Sequence, residues 1–225
     1  MLTEMHNSFS LIGLTETKYT TSQESLHCHN IPGYIFTSQP SLSNAGGTGF
    51  FVSDKLNFHV RDDLSESTVD YECLCIDIPS KFKDDIIRGV IYRHPNSNPE
   101  AFWAFLNKSI GKLIEKINIE NFNLYLLNSD SHSGTEEFFN TLGSYFFNPH
   151  ILRPTRITHH SATLIDNVFI NSITRHTISG NIVYDLTDHL PNFLIVNKFT
   201  TLPKGFKIFK RDFTHFNEQD FLQDI

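Results

Sequence analysis

Long apolar runs are absent from this sequence of 225 residues. No stretch approaches the roughly 18 consecutive apolar residues that a membrane-spanning helix needs. The first residues also lack the basic segment followed by an apolar one that marks a secretion signal. We therefore expect an intracellular protein that is not secreted and has no transmembrane segment.

Cysteine is scarce, and the three residues are Cys28, Cys73 and Cys75. An odd number argues against a framework of disulfides. Cys73 and Cys75 stand at i, i+2 spacing, which places them on one face of a strand-like run. We interpret these thiols as reduced, in agreement with an intracellular protein.

Positive charge is also in short supply, because 18 Lys and Arg face 25 Asp and Glu, for a formal net charge of −7. This balance argues mildly against tight binding to nucleic acid by overall charge alone. It does not exclude chemistry on phosphate esters, since a metal ion supplies local positive charge where a phosphate sits. The hydrophobic share of 39% and the 21 Phe indicate a globular chain with a large core.

Strand-like segments recur along most of the chain, as apolar runs or as alternating apolar and polar residues. They cover residues 10–14, 50–52, 69–78, 86–92, 122–127, 164–170 and 193–196. Two segments carry the helical period instead. Asn98 as the N-cap and Pro99 at the first helical position predict the start of one helix. A second helix is predicted to open at residues 135–137, with Phe138 and Leu142 on its apolar side.

The surplus of strands, with helices interspersed, predicts an α/β fold. We expect a four-layered sandwich in which two mostly antiparallel β-sheets pack face to face and helices flank them. The character of the sequence changes after residue 200, where Pro203 and Gly205 interrupt it and no apolar run follows. We therefore predict one domain over residues 1–200 and a linker or tail over residues 201–225.

Two strand-like runs end in polar side chains that suit phosphate chemistry. Glu16 follows the first run, and an acid at a strand end can hold Mg²⁺ through its oxygens; a solvated turn acid is the alternative. Tyr92 and Arg93 end another run, where a hydroxyl and a guanidinium can both donate to phosphate oxygens. An ordinary strand exit, stopped by Pro95, is the alternative there.

Asp166 is an acid inside an otherwise apolar run, and a buried carboxylate is costly unless it is paired. His189 is the obvious partner, because a carboxylate fixes the imidazole tautomer and favours its charged form. His189 can stabilise a pentavalent phosphate, and Asp188 can ligate a metal or orient water. A capped turn is the ordinary explanation of a single Asp-His pair. The ordered set of polar residues at element ends favours a metal-assisted site that cuts phosphodiesters: Glu16, Tyr92, Thr155, Asp166, Asp188 and His189.

In this order the motifs resemble those of the endonuclease/exonuclease/phosphatase family. More narrowly, they are similar to the endonuclease domain of LINE-type (non-LTR) retrotransposons, over about residues 10–200. Six short segments carry the resemblance: IGLTET (12–17), GGTGF (46–50), VIYRHP (90–95), PTRIT (154–158), TLIDN (163–167) and LTDHLP (186–191).

The resemblance implies a deoxyribonuclease-like fold and water attack on a DNA phosphodiester, with Mg²⁺, or Mn²⁺ in its place, as cofactor. Asp166 is implied to orient His189, and Thr155 to lie at the DNA-facing rim. The implied site residues are Glu16 and Asp188 for the metal, Tyr92, Asp166, Asp188 and His189 for catalysis, and Thr155, Arg93 and Arg156 for DNA. In such elements the nick leaves a 3′-hydroxyl that primes reverse transcription. A reverse transcriptase domain is thus expected downstream in the parent element, with nuclear access for a working copy and no stable protein partner.

The chain departs from the family pattern at two important places. The family's first strand carries an Asn that faces the metal, and residues 1–8 show no such strand, so we expect an incomplete domain. The family also carries Gly-Asp-Phe-Asn after the strand corresponding to residues 124–127, whereas here Asn128-Ser129-Asp130 follows directly. A short internal deletion explains this, and substitution by Asp130 is the alternative. A milder departure is Asn167, where relatives often have His.

The missing motif would have supplied the group that activates water and an amide that stabilises the phosphate. A general base is worth about 10²–10⁴ in rate, and one oxyanion donor about 10²–10³. We therefore expect a DNA endonuclease whose nicking is impaired in this copy. The alternative is an inactive retroelement remnant that binds nucleic acid or protein. A phosphatase or phospholipid-cleaving relative ranks last.

Overall fold

The computed structural model of the chain describes residues 9–20, 31–43, 45–79, 86–95, 97–113, 120–123, 133–171, 177–183 and 187–196. The helices are α1 (Pro99–Leu113) and α2 (Ser133–Ser144). The strands are β1 (Leu11–Thr15), β2 (Tyr34–Gln39), β3 (Thr48–Ser53), β4 (His59–Val60), β5 (Glu66–Ser67), β6 (Tyr71–Ile78), β7 (Ile86–Arg93), β8 (Glu120–Asn123), β9 (Asn148–Pro149), β10 (Arg156–Ile157), β11 (Ala162–Thr163), β12 (Asp166–Ile170), β13 (Thr177–Asn181) and β14 (Asn192–Val196).

The first sheet has the order β1-β3-β2, and all its pairs are antiparallel. Its register places Thr15, the last residue of β1, opposite Thr48, the first residue of β3. The Gly46-Gly47 turn that opens β3 therefore lies beside the residues that follow β1, and Glu16 is the first of them.

The second sheet is built around β6, which pairs with β4, β5 and β7. The antiparallel register of β6 and β7 sets Glu72 opposite Tyr92. Because β6 is buried along nearly its whole length, it is an interior strand covered on both faces. The end of β7 and the start of β6 thus lie at one edge of this sheet.

The two sheets pack face to face, and the helices cover one outer surface. Between the sheets lies an aliphatic and aromatic cluster: Phe50, Val52, Leu74, Ile76, Ile78 and Val90. On the other face of β6, Tyr71, Cys73 and Cys75 pack against aromatic side chains of both helices, including Phe102 and Phe138. This arrangement confirms the predicted α/β sandwich of mostly antiparallel sheets.

Both predicted helices are present. The Asn98 side-chain oxygen accepts a hydrogen bond from Glu100 N at 3.0 Å, as an N-cap does. The second helix begins at Ser133, two residues before the predicted opening. Phe138 has no exposed surface, in agreement with its predicted place on the apolar side.

The rest of the described chain forms smaller antiparallel units. β12 pairs with β8 and β9, β10 pairs with β11, and β13 pairs with β14. The buried Asn167 binds the backbone of Ile151 through both ends of its amide, at 3.0 and 2.8 Å. Strands β2 and β13 were not predicted, because small and polar residues interrupt their apolar pattern.

Several predictions fall on residues outside the described part of the chain. These concern the expected lack of a first strand in residues 1–8, the thiol of Cys28, residues 124–127 with Asp130, and the tail over residues 201–225. Cys73 and Cys75 are described as buried thiols whose Sγ atoms lie 3.5 Å apart. Within the described residues, no helix has the length and apolar character needed to cross a membrane.

Candidate active site

Glu16 lies in a sharp turn at the end of β1. Its backbone is left-handed, with φ of 55°, a conformation uncommon for a residue with a side chain. The Glu16 carboxylate is exposed and accepts a hydrogen bond from the Tyr92 hydroxyl. Burial raises the pKa of Tyr92, and the hydrogen bond to Glu16 raises it further, so the hydroxyl stays protonated and remains a donor.

The turn after Glu16 is tied to the glycine turn before β3. Thr17 N donates to Gly47 O at 3.1 Å, and Lys18 N donates to Gly46 O at 2.6 Å. Both glycines have positive φ, 98° at Gly46 and 86° at Gly47, which residues with a side chain rarely adopt. The GGTGF segment therefore shapes the turn that presents Glu16.

Two polar residues of this region, Glu72 and His94, were not among the predicted site residues. Glu72 has no exposed surface, and its carboxylate accepts a hydrogen bond from Gly47 N. A hydrogen bond of 3.2 Å also joins Glu72 Oε1 and His94 Nε2. The strand period could have predicted the burial of Glu72, because Glu72 lies on the same strand face as Leu74 and Ile76, which pack between the sheets.

Asp166 and His189 are in contact, as predicted for this pair. His189 Nδ1 lies 3.0 Å from Asp166 Oδ2, with the two side chains 35% and 18% exposed. The hydrogen bond to Asp166 is the main cause that raises the pKa of His189, opposed by partial burial. The charges of Asp188 and Glu16 raise the pKa further, so the imidazolium is favoured at this place.

Thr155 organises this pair from inside the fold. Its hydroxyl oxygen accepts hydrogen bonds from Ile165 N at 3.1 Å and Asp166 N at 3.0 Å. Its carbonyl accepts from Leu190 N at 2.6 Å. Because Thr155 has no exposed surface, the expected position at a DNA-facing rim is wrong. The adjacent N–H groups of residues 165 and 166 need an acceptor, and the hydroxyl turns inward to supply it.

Asp188 forms a surface ion pair with Arg156. Arg156 Nε lies 2.7 Å from Asp188 Oδ2, and the two side chains are 42% and 43% exposed. The hydrogen bond from Arg156 holds the pKa of Asp188 below its ordinary value. Each of the two residues was predicted to act separately, Asp188 on a metal and Arg156 on DNA, whereas the structure joins them. Both roles stay predictions.

Arg93 is the last residue of β7 and pairs with Tyr71 across the sheet. Its side chain is half-buried, and one terminal nitrogen donates to Ser97 Oγ at 3.3 Å. The predicted contact of Arg93 with DNA stays a prediction.

A cavity of about 520 Å³ adjoins the Asp166–His189 pair. Thr15, the residue before Glu16, lines it together with apolar side chains that include Phe50 and Val168. The charge of Glu16 acts on His189 as well. The end of β1, the start of β12 and the segment before β14 therefore converge, and Tyr92 joins them through its hydrogen bond to Glu16.

No protein-family model matches the chain, and no curated protein matches it. Solved structures do match. The endonuclease domain of TRAS1, a telomere-specific non-LTR retrotransposon, is 13% identical with a TM-score of 0.56, over 73% of this chain and 78% of that one. The Xenopus laevis APE2 catalytic domain is 14% identical with a TM-score of 0.54, over 83% of each chain.

A 3′-5′ exonuclease (NExo) from Neisseria meningitidis also matches, at 10% identity with a TM-score of 0.56, over 85% of this chain and 90% of that one. The three proteins share one fold, the deoxyribonuclease-like fold. This chain has the endonuclease/exonuclease/phosphatase fold. The fold expected from the motifs is therefore confirmed, although the identities to these structures are only 10–14%.

Among the described residues, Glu16 could hold a hydrated metal ion through its exposed carboxylate. No group of three or more His, Cys, Asp or Glu side chains in the described residues is placed to hold an ion. Mg²⁺ keeps several waters and binds through one or two carboxylates together with substrate phosphates. The exposed Glu16 carboxylate fits a hydrated Mg²⁺ of this kind, and it does not fit an ion that needs an all-protein cage.

Proposed function

We propose that this chain is the endonuclease domain of a retrotransposon-derived protein and nicks DNA by Mg²⁺-dependent hydrolysis, with activity impaired in this copy. One observation carries the proposal: Glu16, Tyr92, Asp166 and His189 come from four separate segments and converge at one place. A nuclease-type function is also supported by the fold that the chain shares with an endonuclease domain and an exonuclease.

Glu16 would hold Mg²⁺, or Mn²⁺ in its place, through its exposed carboxylate. The ion would supply positive charge beside the phosphate oxygens. Tyr92 keeps its proton because its pKa is raised, and its hydroxyl, which donates to Glu16 in the free protein, would turn to the scissile phosphate when Glu16 holds the metal. Asp188 is proposed at the edge of the metal, although its carboxylate binds Arg156 in the free protein.

His189 would bind the phosphate with the ring nitrogen that faces away from Asp166. The contact of Nδ1 with Asp166 fixes the orientation of the ring and leaves Nε2 for a phosphate oxygen. The raised pKa of His189 favours the imidazolium, which stabilises the negative charge that grows in the transition state. Arg93 and Arg156 are proposed to contact the DNA backbone near this point.

The impairment follows from the missing Gly-Asp-Phe-Asn motif. No residue of the proposed set is assigned to activate water, and Asp130 is the candidate replacement. The expected loss is about 10²–10⁴ in rate for the general base. DNA is the proposed partner, and a reverse transcriptase domain is proposed downstream in the parent element.

The test is nicking of supercoiled plasmid with and without Mg²⁺. It compares this chain with a repaired chain that carries Gly-Asp-Phe-Asn inserted after Leu127, and His189→Ala is made in both. We expect the repaired chain to nick and its His189→Ala variant not to. Nicking by the unrepaired chain that is lost in His189→Ala would show that Asp130 or another group replaces the base. If neither chain nicks although both fold, the proposal of an endonuclease is wrong.

The missing motif also favours a second candidate, an inactive module that binds nucleic acid or protein. Fluorescence anisotropy with a labelled DNA duplex separates this candidate from the first. Binding of the duplex without nicking by either chain would support the module, and nicking by the unrepaired chain would exclude it.

A further inference from the structure

A buried carboxylate lies behind the turn that presents Glu16. Glu72 is the second residue of β6 and has no exposed surface. It shares the inner face of the strand with Leu74 and Ile76, which pack between the two sheets. A carboxylate in such surroundings is costly unless its oxygens accept hydrogen bonds, so its contacts are informative.

Both oxygens of Glu72 have partners. Oε2 accepts a hydrogen bond from Gly47 N, and Oε1 is hydrogen-bonded to His94 Nε2 at 3.2 Å. The His94 ring packs edge-on against Tyr92, with centroids 5.0 Å apart. Tyr92 in turn donates to Glu16. Glu72 is therefore connected to Glu16 in two ways, one through the glycine turn and the other through His94 and Tyr92.

The contact with the glycine turn is close. A Cβ atom at Gly46 would lie 2.7 Å from Glu72 Oε1 and 2.8 Å from Oε2. Gly46 and Gly47 in turn bind the segment that follows Glu16, because their carbonyls accept hydrogen bonds from Lys18 N and Thr17 N. Two successive hydrogen bonds thus connect the Glu72 carboxylate with the residue that follows Glu16.

We infer that Glu72 is a positioning residue, which holds the left-handed turn of Glu16 in place through the Gly46-Gly47 backbone. The link to metal binding rests on the proposed function, in which Glu16 is the ligand. Glu72 is itself too buried to reach a phosphate or a hydrated ion, and both of its oxygens are engaged. Its hydrogen bonds, rather than its charge, do the positioning.

The first measurement is amide hydrogen exchange by NMR in the unchanged chain, Glu72→Ala, Glu72→Gln and Leu74→Ala. Leu74→Ala is the matched control, because it truncates the next side chain on the same strand face. We expect exchange at Thr17 and Lys18 to accelerate about tenfold in Glu72→Ala, as loss of one hydrogen bond allows. Glu72→Gln keeps an oxygen for Gly47 N and is expected to restore the protection.

The second measurement is binding of Mn²⁺ alone, followed by the electron paramagnetic resonance signal of the free ion. We expect Glu16→Ala to abolish binding. Glu72→Ala is expected to weaken it about 10- to 100-fold, as loss of a residue that orients a metal ligand does. Glu72→Gln and Leu74→Ala are expected to bind as the unchanged chain does.

Three results would overturn the inference. One is equal exchange at Thr17 and Lys18 in Glu72→Ala and Leu74→Ala. Another is Mn²⁺ binding in Glu72→Ala as tight as in the unchanged chain. The third is Glu72→Gln failing as Glu72→Ala does, because charge rather than hydrogen bonding would then matter.

Two further arms keep the result unambiguous. If Glu72→Ala does not fold, Glu72→Leu replaces it, since it removes both oxygens and keeps most of the side-chain volume, and the same faster exchange is expected. If Glu16→Ala leaves Mn²⁺ binding unchanged, the proposed metal site fails. The exchange comparison then decides separately whether Glu72 holds the turn.

Discussion

His189 Nδ1 lies 3.0 Å from Asp166 Oδ2, and this contact joins residues that are 23 positions apart in the chain. It holds one ring nitrogen of His189 and raises the pKa of the imidazole. The proposed chemistry depends on this pair, and so does part of the pH dependence of the fold.

Asp166→Asn is expected to lower the pKa of His189 towards the ordinary value of about 6.5, because the main cause of its elevation is removed. A raised pKa in the folded state means that the pair stabilises the fold fully below about pH 6.5. This contribution is lost as the pH rises through the folded pKa. NMR titration of the His189 ring protons measures the shift, and urea unfolding against pH measures the stability.

The control for this prediction is Asp77→Asn. It removes the charge from a second Asp-His contact, between Asp77 Oδ1 and His59 Nδ1 at 3.1 Å, away from the site. We expect the titration of His189 to stay unchanged in that variant. A His189 pKa that is equal in the unchanged chain and in Asp166→Asn would contradict the assignment.

Thr155→Val is expected to destabilise the fold by about 1–3 kcal/mol, because two backbone N–H groups lose their acceptor inside the protein. Thr155→Ser keeps the hydroxyl and is expected to lose less. Urea unfolding of the two variants gives the difference. If the Val variant is as stable as the Ser variant, the hydrogen bonds from residues 165 and 166 to the Thr155 hydroxyl do not stabilise the fold.

Gly47→Ala is expected to be more destabilising than Gly33→Ala. Both glycines have φ of 86°, so each substitution carries a backbone strain of about 1–3 kcal/mol. At Gly47 the added Cβ also collides with Thr17 Oγ1, whereas at Gly33 nothing lies within 4 Å. Thermal unfolding compares them, and equal melting temperatures would argue against the tight turn beside Glu16.

Tyr92→Phe, made in the repaired chain, is expected to lower the nicking rate about 10²–10³-fold, the usual cost of one donor to the reacting phosphate. Tyr71→Phe is the control, because the Tyr71 hydroxyl makes a hydrogen bond of 2.8 Å to Glu66 and the Tyr71 ring packs on the opposite, helix-facing side of β6. Plasmid nicking measures both variants. Equal rates in the two would remove Tyr92 from the proposed mechanism.

Phe138→Ala is expected to cost about 3–5 kcal/mol, because it leaves a cavity among the aromatic side chains beneath the helices. Val69→Ala is expected to change the stability little, since Val69 is 79% exposed. Thermal or urea unfolding measures both. A small effect of Phe138→Ala would contradict the position of α2 against the sheet.

The sequence by itself determined most of the regular structure. The apolar runs predicted β1, β3, β6, β7, β12 and β14, since burying an apolar strand leaves a local pattern. The N-cap Asn98 predicted the start of α1 at Pro99, because capping is a local interaction. The strand-end positions of Glu16 and Tyr92, and the pairing of Asp166 with His189, could also be predicted, since a carboxylate in an apolar run requires a partner.

Only the tertiary structure decided which polar residues act on one another across the fold. Thr155 is inside rather than at the rim, because the N–H groups that need its hydroxyl belong to a segment ten residues away. The pairing of Arg156 with Asp188, and the contact of Glu72 with the glycine turn, join segments 32 and 25 residues apart. Local patterns report which side of an element is buried, whereas the partner of a buried polar group is set by how the sheets pack.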